Sequence, residues 1–331
     1  MAATDPSLLS PGEHTFTASP LSSSSSADTA TAATMTFTYI VHGNRNDSQS
    51  QTQTRMKPLL VIQCPGWGIG PGYLRQGLSP LLESHFTLLY FIPRGTAGSS
   101  RPPGGDSDMG TWTMADDLEL LRRHLRLEKF PALLGHSNGG AIVLAYAEKF
   151  PLNVDKVILL DHRLLGLKHD TSLMQRRKDD PRYKAAFGRK QARRMKSKID
   201  HDDDDATQSW KEILPLYFFD PDSGVPALMD AMGDDLVCAW CQQAQSACDA
   251  ELYGPRRRLM VDKLKDVRAK VLIIFGKDDM ITAVDNGEVT QRGISPGGAA
   301  ELKVYDRCGH FPWIEQPERT VRDIVDFLLG S

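Results

Sequence analysis

Between Pro58 and Asp161 the chain repeats one pattern: a short, almost wholly apolar run, then a loop or tight turn, then a helical stretch. LLVIQC leads to YLRQGLSPLLES, FTLLYFI to TMADDLELLRRHLRL, and PALLG to the apolar AIVLAYA, before a further run, DKVILLD. Strand-length segments that are apolar on both faces need cover on both, so their alternation with helices predicts a mostly parallel central sheet with helices on both faces. The pattern resumes at AKVLIIFG and AELKVYD and closes with a helix in PERTVRDIVDFLLG. The fold class is therefore α/β, with a core spanning residues 58–162 and 267–331.

Two segments interrupt this scheme. Residues 1–57 hold two strand-like stretches, GEHTFTAS and MTFTYIVHG, around the low-complexity piece at 18–34, which reads as an overgrown hairpin connection too poor in large apolar residues to order itself. Residues 163–266 lose the strand pattern and read as a helical insertion. Its basic run QRRKDDPRYKAAFGRKQARRMKSK is followed at once by the acidic DHDDDDA, so the two neutralise each other and predict solvated helix and loop rather than a nucleic-acid site. Within the core, Thr113 to Asp116 resembles a capping box opening a helix whose apolar stripe is Leu118, Leu121 and Leu125.

A formal net charge of -3 offers no general attraction to nucleic acid or acidic membranes and leaves small molecules as the expected partner. The five cysteines form no disulfide framework, which fits a reducing compartment. Cys238 and Cys241 form a CxxC without the second pair or His cluster that zinc requires, so they read as buried thiols, and no metal is expected. Neither G-x-G-x-x-G nor the P-loop pattern occurs, so no cofactor is expected. With no apolar run of membrane-spanning length, the chain reads as soluble and cytoplasmic; its oligomeric state stays open.

The chemistry gathers around Gly135-His136-Ser137-Asn138-Gly139. Ser137 lies between the apolar strand and a buried helix, with glycines on both sides giving the clearance of a tight strand-to-helix turn. A nucleophilic serine also needs a base, an acid to orient it, and donors for an oxyanion. Asp278 and Asp279 follow the strand VLIIF, and His310 follows ELKVYD, so the order Ser, Asp, His falls beyond the C-terminal ends of predicted parallel strands. The backbone N–H of Asn138 is one oxyanion donor by position. The loop CPGWGIGPG supplies the other, and since Pro65 has no N–H, Gly66 or Trp67 donates.

These motifs resemble the α/β-hydrolase superfamily and are similar to its proline iminopeptidase-like group: CPGWG with YLRQGLSPLLESHFTLLYFIPRG, GHSNGGAIVLAYAEKFP, FGKDDMI and CGHFPWIEQPE. The resemblance implies an α/β-hydrolase fold with a helical cap formed by the insertion. It implies Ser137, Asp279 and His310 as catalytic triad, and Gly66 with Asn138 as oxyanion hole. The expected activity is cleavage of an ester, thioester or amide of a small molecule through an acyl-enzyme on Ser137. Alternatives are a proline iminopeptidase, a biosynthetic or carbon-carbon bond enzyme on the same triad, and a ligand receptor without turnover. An iminopeptidase needs cap carboxylates for the free amine; Glu212, Asp230, Asp234 and Glu251 are available, but no motif aligns them with that role. Candidate pocket residues are Trp67, His136, Trp210, Tyr217 and Phe218, the cap aromatics being equally readable as the cap's own core.

Overall fold

One eight-stranded sheet organises the described residues. The structure, a computed structural model, describes residues 5–21, 34–43, 57–168, 170–195, 202–254, 256–294 and 299–330. The strands are β1 (Gly12–Ala18), β2 (Met35–His42), β3 (Leu59–Gln63), β4 (Thr87–Phe91), β5 (Phe130–His136), β6 (Val154–Leu160), β7 (Lys270–Gly276) and β8 (Ala299–Tyr305). They lie in the order β1-β2-β4-β3-β5-β6-β7-β8; β1 pairs with β2, and β2 with β4, antiparallel, and the other strand pairings are parallel. The expected N-terminal hairpin runs in register from Gly12 opposite Val41 to Ala18 opposite Met35. Most of the low-complexity connection, 22–33, lies outside the described residues, as does 44–56.

The core helices are α1 (Gly72–Leu82), α2 (Thr111–His124) and α3 (Ser137–Lys149). The insertion follows with α4 (Ser172–Arg177), α5 (Lys184–Met195), α6 (Asp203–Lys211), α7 (Pro221–Met232), α8 (Ala239–Asp249) and α9 (Leu259–Lys263). The chain then adds α10 (Val284–Ile294), α11 (Pro312–Glu315) and α12 (Pro317–Leu329). Strand side chains alternate between two cores. Val61, Leu133 and Val157 pack with Leu118 and Leu121 of α2, Ile142 of α3 and Ile294 of α10. Leu60, Ile62, Leu134 and Ile158 face the other way, onto Leu74 and Leu78 of α1 and Ile324 of α12. Burial of both faces is why these strands read as unbroken apolar runs.

The start of α2 differs from the sequence expectation. Thr113 sits in the first turn and its N–H bonds the Gly110 carbonyl at 3.0 Å, so no capping box forms there. The helix begins at Thr111, whose N–H and hydroxyl both donate to the Asp249 carboxylate at 2.8 Å, an acid delivered by the end of α8. Between β6 and β7 the described residues form helices and loops, and in α6 the acidic run does local work. Asp202 accepts the Asp205 N–H at 2.8 Å and Asp203 to Asp205 line the first turn, where the helix dipole favours negative charge. Beneath the loop after β4, Arg94 donates twice to the buried Asp117 of α2, at 2.7 and 2.5 Å, and once to the partly buried Asp108 carbonyl. Cys64, Cys241 and Cys308 are buried free thiols, while Cys238 and Cys248 are half-buried. No helix among the described residues is long and apolar enough to cross a membrane.

Candidate active site

Ser137 is the first residue of α3 and has a φ of 53°, a left-handed conformation that a non-glycine residue adopts only when its surroundings impose it. The imposition is visible on both sides. A Cβ on Gly135 would fall 2.4 Å from the Gly139 carbonyl oxygen, and one on Gly139 would fall 2.5 Å from that of Gln63. The chain can therefore turn this tightly between β5 and α3 only with both glycines.

Asp279 and His310 arrive from the ends of β7 and β8. His310 Nδ1 lies 2.8 Å from Asp279 Oδ2, with both side chains buried. Asp279 Oδ1 accepts the N–H groups of Ile281 at 2.7 Å and Thr282 at 3.2 Å, and Oδ2 also accepts the Thr282 hydroxyl at 2.5 Å. Burial pushes this carboxyl up, but His310 and the hydrogen bonds outweigh it and hold the pKa at about 2. Asp278 points elsewhere, to the Arg177 guanidinium, so the structure separates two aspartates that are adjacent in sequence. The His310 backbone is fixed too: its N–H donates to the Tyr217 carbonyl at 2.6 Å, and its carbonyl is 2.8 Å from His136 Nε2.

Ser137 and His310 face one cavity of about 240 Å³. Ser137 Oγ forms no hydrogen bond among the described residues, and both it and the His310 imidazole belong to residues lining the cavity. Of the expected pocket residues, Trp67, His136, Trp210 and Tyr217 line the cavity. Phe218 does not. It is buried in the insertion, stacked on Phe311 at 5.1 Å, while its neighbour Tyr217 takes the wall and receives the Trp210 indole N–H at 3.2 Å. His136 is neutral rather than a second base: burial first, then His310, hold its pKa well below the histidine range. Its Nδ1, 3.1 Å from the Tyr73 hydroxyl, accepts while Nε2–H donates to the His310 carbonyl, which ties the serine turn to the histidine loop.

The oxyanion expectation is corrected at one position. Gly66 donates its N–H to Asn138 Oδ1 at 2.9 Å, and the same oxygen accepts from Gln245 at 3.1 Å, so Gly66 is already committed. Trp67 is the loop's other donor, and its N–H bonds nothing among the described residues. The Asn138 N–H, in the first turn of α3, has no helical carbonyl to bond.

Two residues escaped the sequence reading. Arg163 lines the cavity, receives the Ser137 carbonyl on its N–H at 3.1 Å and lays its guanidinium 5.0 Å from the Trp67 ring centroid, with no ion pair among the described residues. Asp161 places a carboxylate oxygen within 4.8 Å of atoms of Asp279 and His310. Both follow the C-terminal end of β6, the location that marked Ser137 and Asp279, so the same positional rule would have found them. Among the described residues, Asp161, Asp279 and His310 have atoms close enough to hold a metal ion, but the imidazole nitrogen facing Asp279 is already hydrogen-bonded to it.

Comparison with known proteins agrees with this architecture. The family model described as alpha/beta hydrolase fold matches residues 59–317, and the chain belongs to that family. It is 24% identical over 286 residues to a 2-hydroxy-6-oxo-2,4-heptadienoate hydrolase of Pseudomonas putida, covering 83% of this chain and 90% of the relative. Similar solved structures include a 2-hydroxy-6-oxo-6-phenylhexa-2,4-dienoate hydrolase from Rhodococcus, with TM-score 0.61, 19% identity and coverage of 89% and 95%. An esterase from Exiguobacterium antarcticum superposes with TM-score 0.60, 19% identity and coverage of 89% and 96%.

Proposed function

We propose that the protein is a serine hydrolase that cleaves a small acyl compound through an acyl-enzyme on Ser137. The observation that carries this reading is the buried His310–Asp279 pair opening onto the same cavity as a serine held in a strained strand-to-helix turn. In this mechanism His310 Nε2 takes the Ser137 proton as Oγ attacks the carbonyl carbon, while Asp279 keeps the proton of Nδ1 in place and stabilises the imidazolium. The N–H groups of Asn138 and Trp67 receive the developing oxyanion at the positive end of α3. His310 then protonates the leaving group, and a water activated by the same imidazole releases the acid. Residues 163–266 serve as a cap over a core of 58–162 and 267–331, with 1–57 adding the outer strands.

The lining of the cavity supports a choice among substrates. It is largely aromatic and aliphatic, contains Arg163, and among the described residues contains no carboxylate. An N-terminal amine has no partner there: Glu212, Asp230, Asp234 and Glu251 are all absent from the wall, which disfavours the iminopeptidase reading. A neutral or anionic acyl group fits better. A second reading, hydrolysis at a carbon-carbon bond, draws on the relatives named as hydrolases of 2-hydroxy-6-oxo-dienoates.

A panel of one neutral ester, one ester carrying a free carboxylate, one 2-hydroxy-6-oxo-dienoate and one prolyl amide tests these readings together. Turnover is expected for at least one of the first three, abolished by Ser137→Ala. Preference for the prolyl amide would reverse the substrate argument, and saturable binding without turnover would favour a receptor.

A further inference from the structure

We propose that Asp161 is a second carboxyl of the His310 relay, a positioning residue that shares one proton with Asp279 and becomes the imidazole's partner when Asp279 is neutralised. The inference rests on the reading of Ser137 and His310 as nucleophile and base, and extends it to a residue outside the triad.

The neighbouring strands β6 and β7 deliver the two acids. Leu160 pairs with Ile274 in register, Asp161 follows the first strand immediately and Asp279 lies just beyond the second. Asp161 is fully buried and tied at three points. Its N–H donates to the Ile274 carbonyl at 2.9 Å, its Oδ1 accepts the Gly276 N–H at 2.8 Å, and its carbonyl oxygen lies 3.0 Å from the Thr282 hydroxyl oxygen. That Thr282 hydroxyl also contacts Asp279 Oδ2 and lies 3.3 Å from His310 Nδ1, so one small side chain links both acids and the imidazole. The Asp161 backbone has a φ of 40°, in the left-handed region that Asp adopts more readily than most residues. Its Oδ2 is buried and receives no protein donor.

Two buried carboxylates this close cannot both hold a charge, and the proton goes where fewer donors compete for the oxygens. Asp279 accepts from Ile281, Thr282 and His310, whereas among the described residues the Asp161 carboxyl accepts only from Gly276. Asp161 is then the carboxylic acid, its O–H directed to the Asp279 carboxylate and its pKa pushed well up, by burial first and by Asp279 second. Other titratable groups facing the pair are His310, Cys308 and Glu315 from the segment after β8, His136 at the end of β5 and Tyr217 of the insertion. Removing the Asp279 charge leaves Asp161 as the remaining group able to ionise and pair with the imidazolium.

The test measures the rate at which a fluorophosphonate labels Ser137, from pH 6 to 9, in wild type, Asp161→Asn, Asp279→Asn and the double variant. Asp161→Asn alone should slow labelling by about fivefold, the size of one lost net hydrogen bond. Asp279→Asn should fall by about 100-fold, well short of the roughly 10⁴-fold loss when no carboxylate is left, and should recover as pH rises and Asp161 ionises. The double variant should fall at least about tenfold below Asp279→Asn and lose that recovery. Equal rates for Asp279→Asn and the double variant at every pH would overturn the role of Asp161 while leaving Ser137 intact. A folded wild type that does not label would overturn both readings. Infrared difference spectra give an independent readout if a variant does not fold: a buried carboxylic-acid band in the wild type, shifted by carboxyl ¹³C labelling of aspartate, is expected, and its absence contradicts the shared proton.

Discussion

Replacing Ser137 by glycine should remove activity and yet make the protein more stable than the alanine variant. The left-handed backbone at Ser137, with φ 53°, costs a residue bearing a Cβ about 1–2 kcal/mol. Alanine keeps the Cβ and therefore keeps the cost. Glycine relieves it, and the greater freedom of the unfolded glycine chain takes back about 0.4–1 kcal/mol. From the midpoints of these ranges, the expected net gain of Ser137→Gly over Ser137→Ala is about 0.8 kcal/mol. Loss of the hydroxyl does not disturb the comparison, because both variants lack it. Urea titrations of the two variants, fitted with a common slope, give the difference directly. A glycine variant equal to or less stable than the alanine variant would show that the turn is not held against its own preference, and the argument from Gly135 and Gly139 would fall with it.

Arg94→Met should cost about 3–5 kcal/mol by leaving Asp117 buried without its cation, and Asp117→Leu added to it should restore most of the loss, as read by urea unfolding; a single-variant loss below about 1 kcal/mol would contradict the pair's role. Glu315 accepts N–H groups from Phe219 and Asp220 of the insertion and from Gly309 beside His310, yet burial raises its pKa to about 7. Since the folded value lies above the unfolded one, its stabilising contribution is complete below about pH 4.5 and disappears as pH rises through about 7, an effect on the order of 3 kcal/mol. The stability of wild type relative to Glu315→Gln should therefore decline across that window, and a flat difference would refute it. Arg163→Gln should raise KM for a carboxylate-bearing ester at least about tenfold more than for its neutral analogue, the discrimination expected of one charge-assisted contact; equal effects on both would remove the anionic side of the substrate reading.

The sheet was legible because its strands are buried on both faces, so LLVIQC or KVLIIFG could be nothing but central strands once helices were seen between them. The positions of Ser137, Asp279 and His310 followed from the same rule, since each lies beyond a strand end. Contacts between distant segments were not legible. That Asn138 takes the Gly66 N–H, or that Asp249 caps a helix 138 residues earlier in the chain, depends on how α8 is laid over the core. Tyr217 and Phe218 are adjacent aromatics at the end of a short turn of 3₁₀ helix, with no period to say which faces the cavity. Asp161 looked like the polar end of a strand, and only its nearness to Asp279 marks it.

The central claim is that Ser137 is an activated nucleophile served by His310. The most direct test is treatment of the purified protein with a fluorophosphonate, with the modified residue mapped by mass spectrometry in wild type, Ser137→Ala and His310→Ala, each shown to be folded. Labelling confined to Ser137, absent in the first variant and reduced by at least about 100-fold in the second, is the predicted result. A folded wild type whose Ser137 stays unmodified under conditions that label other serine hydrolases would contradict it.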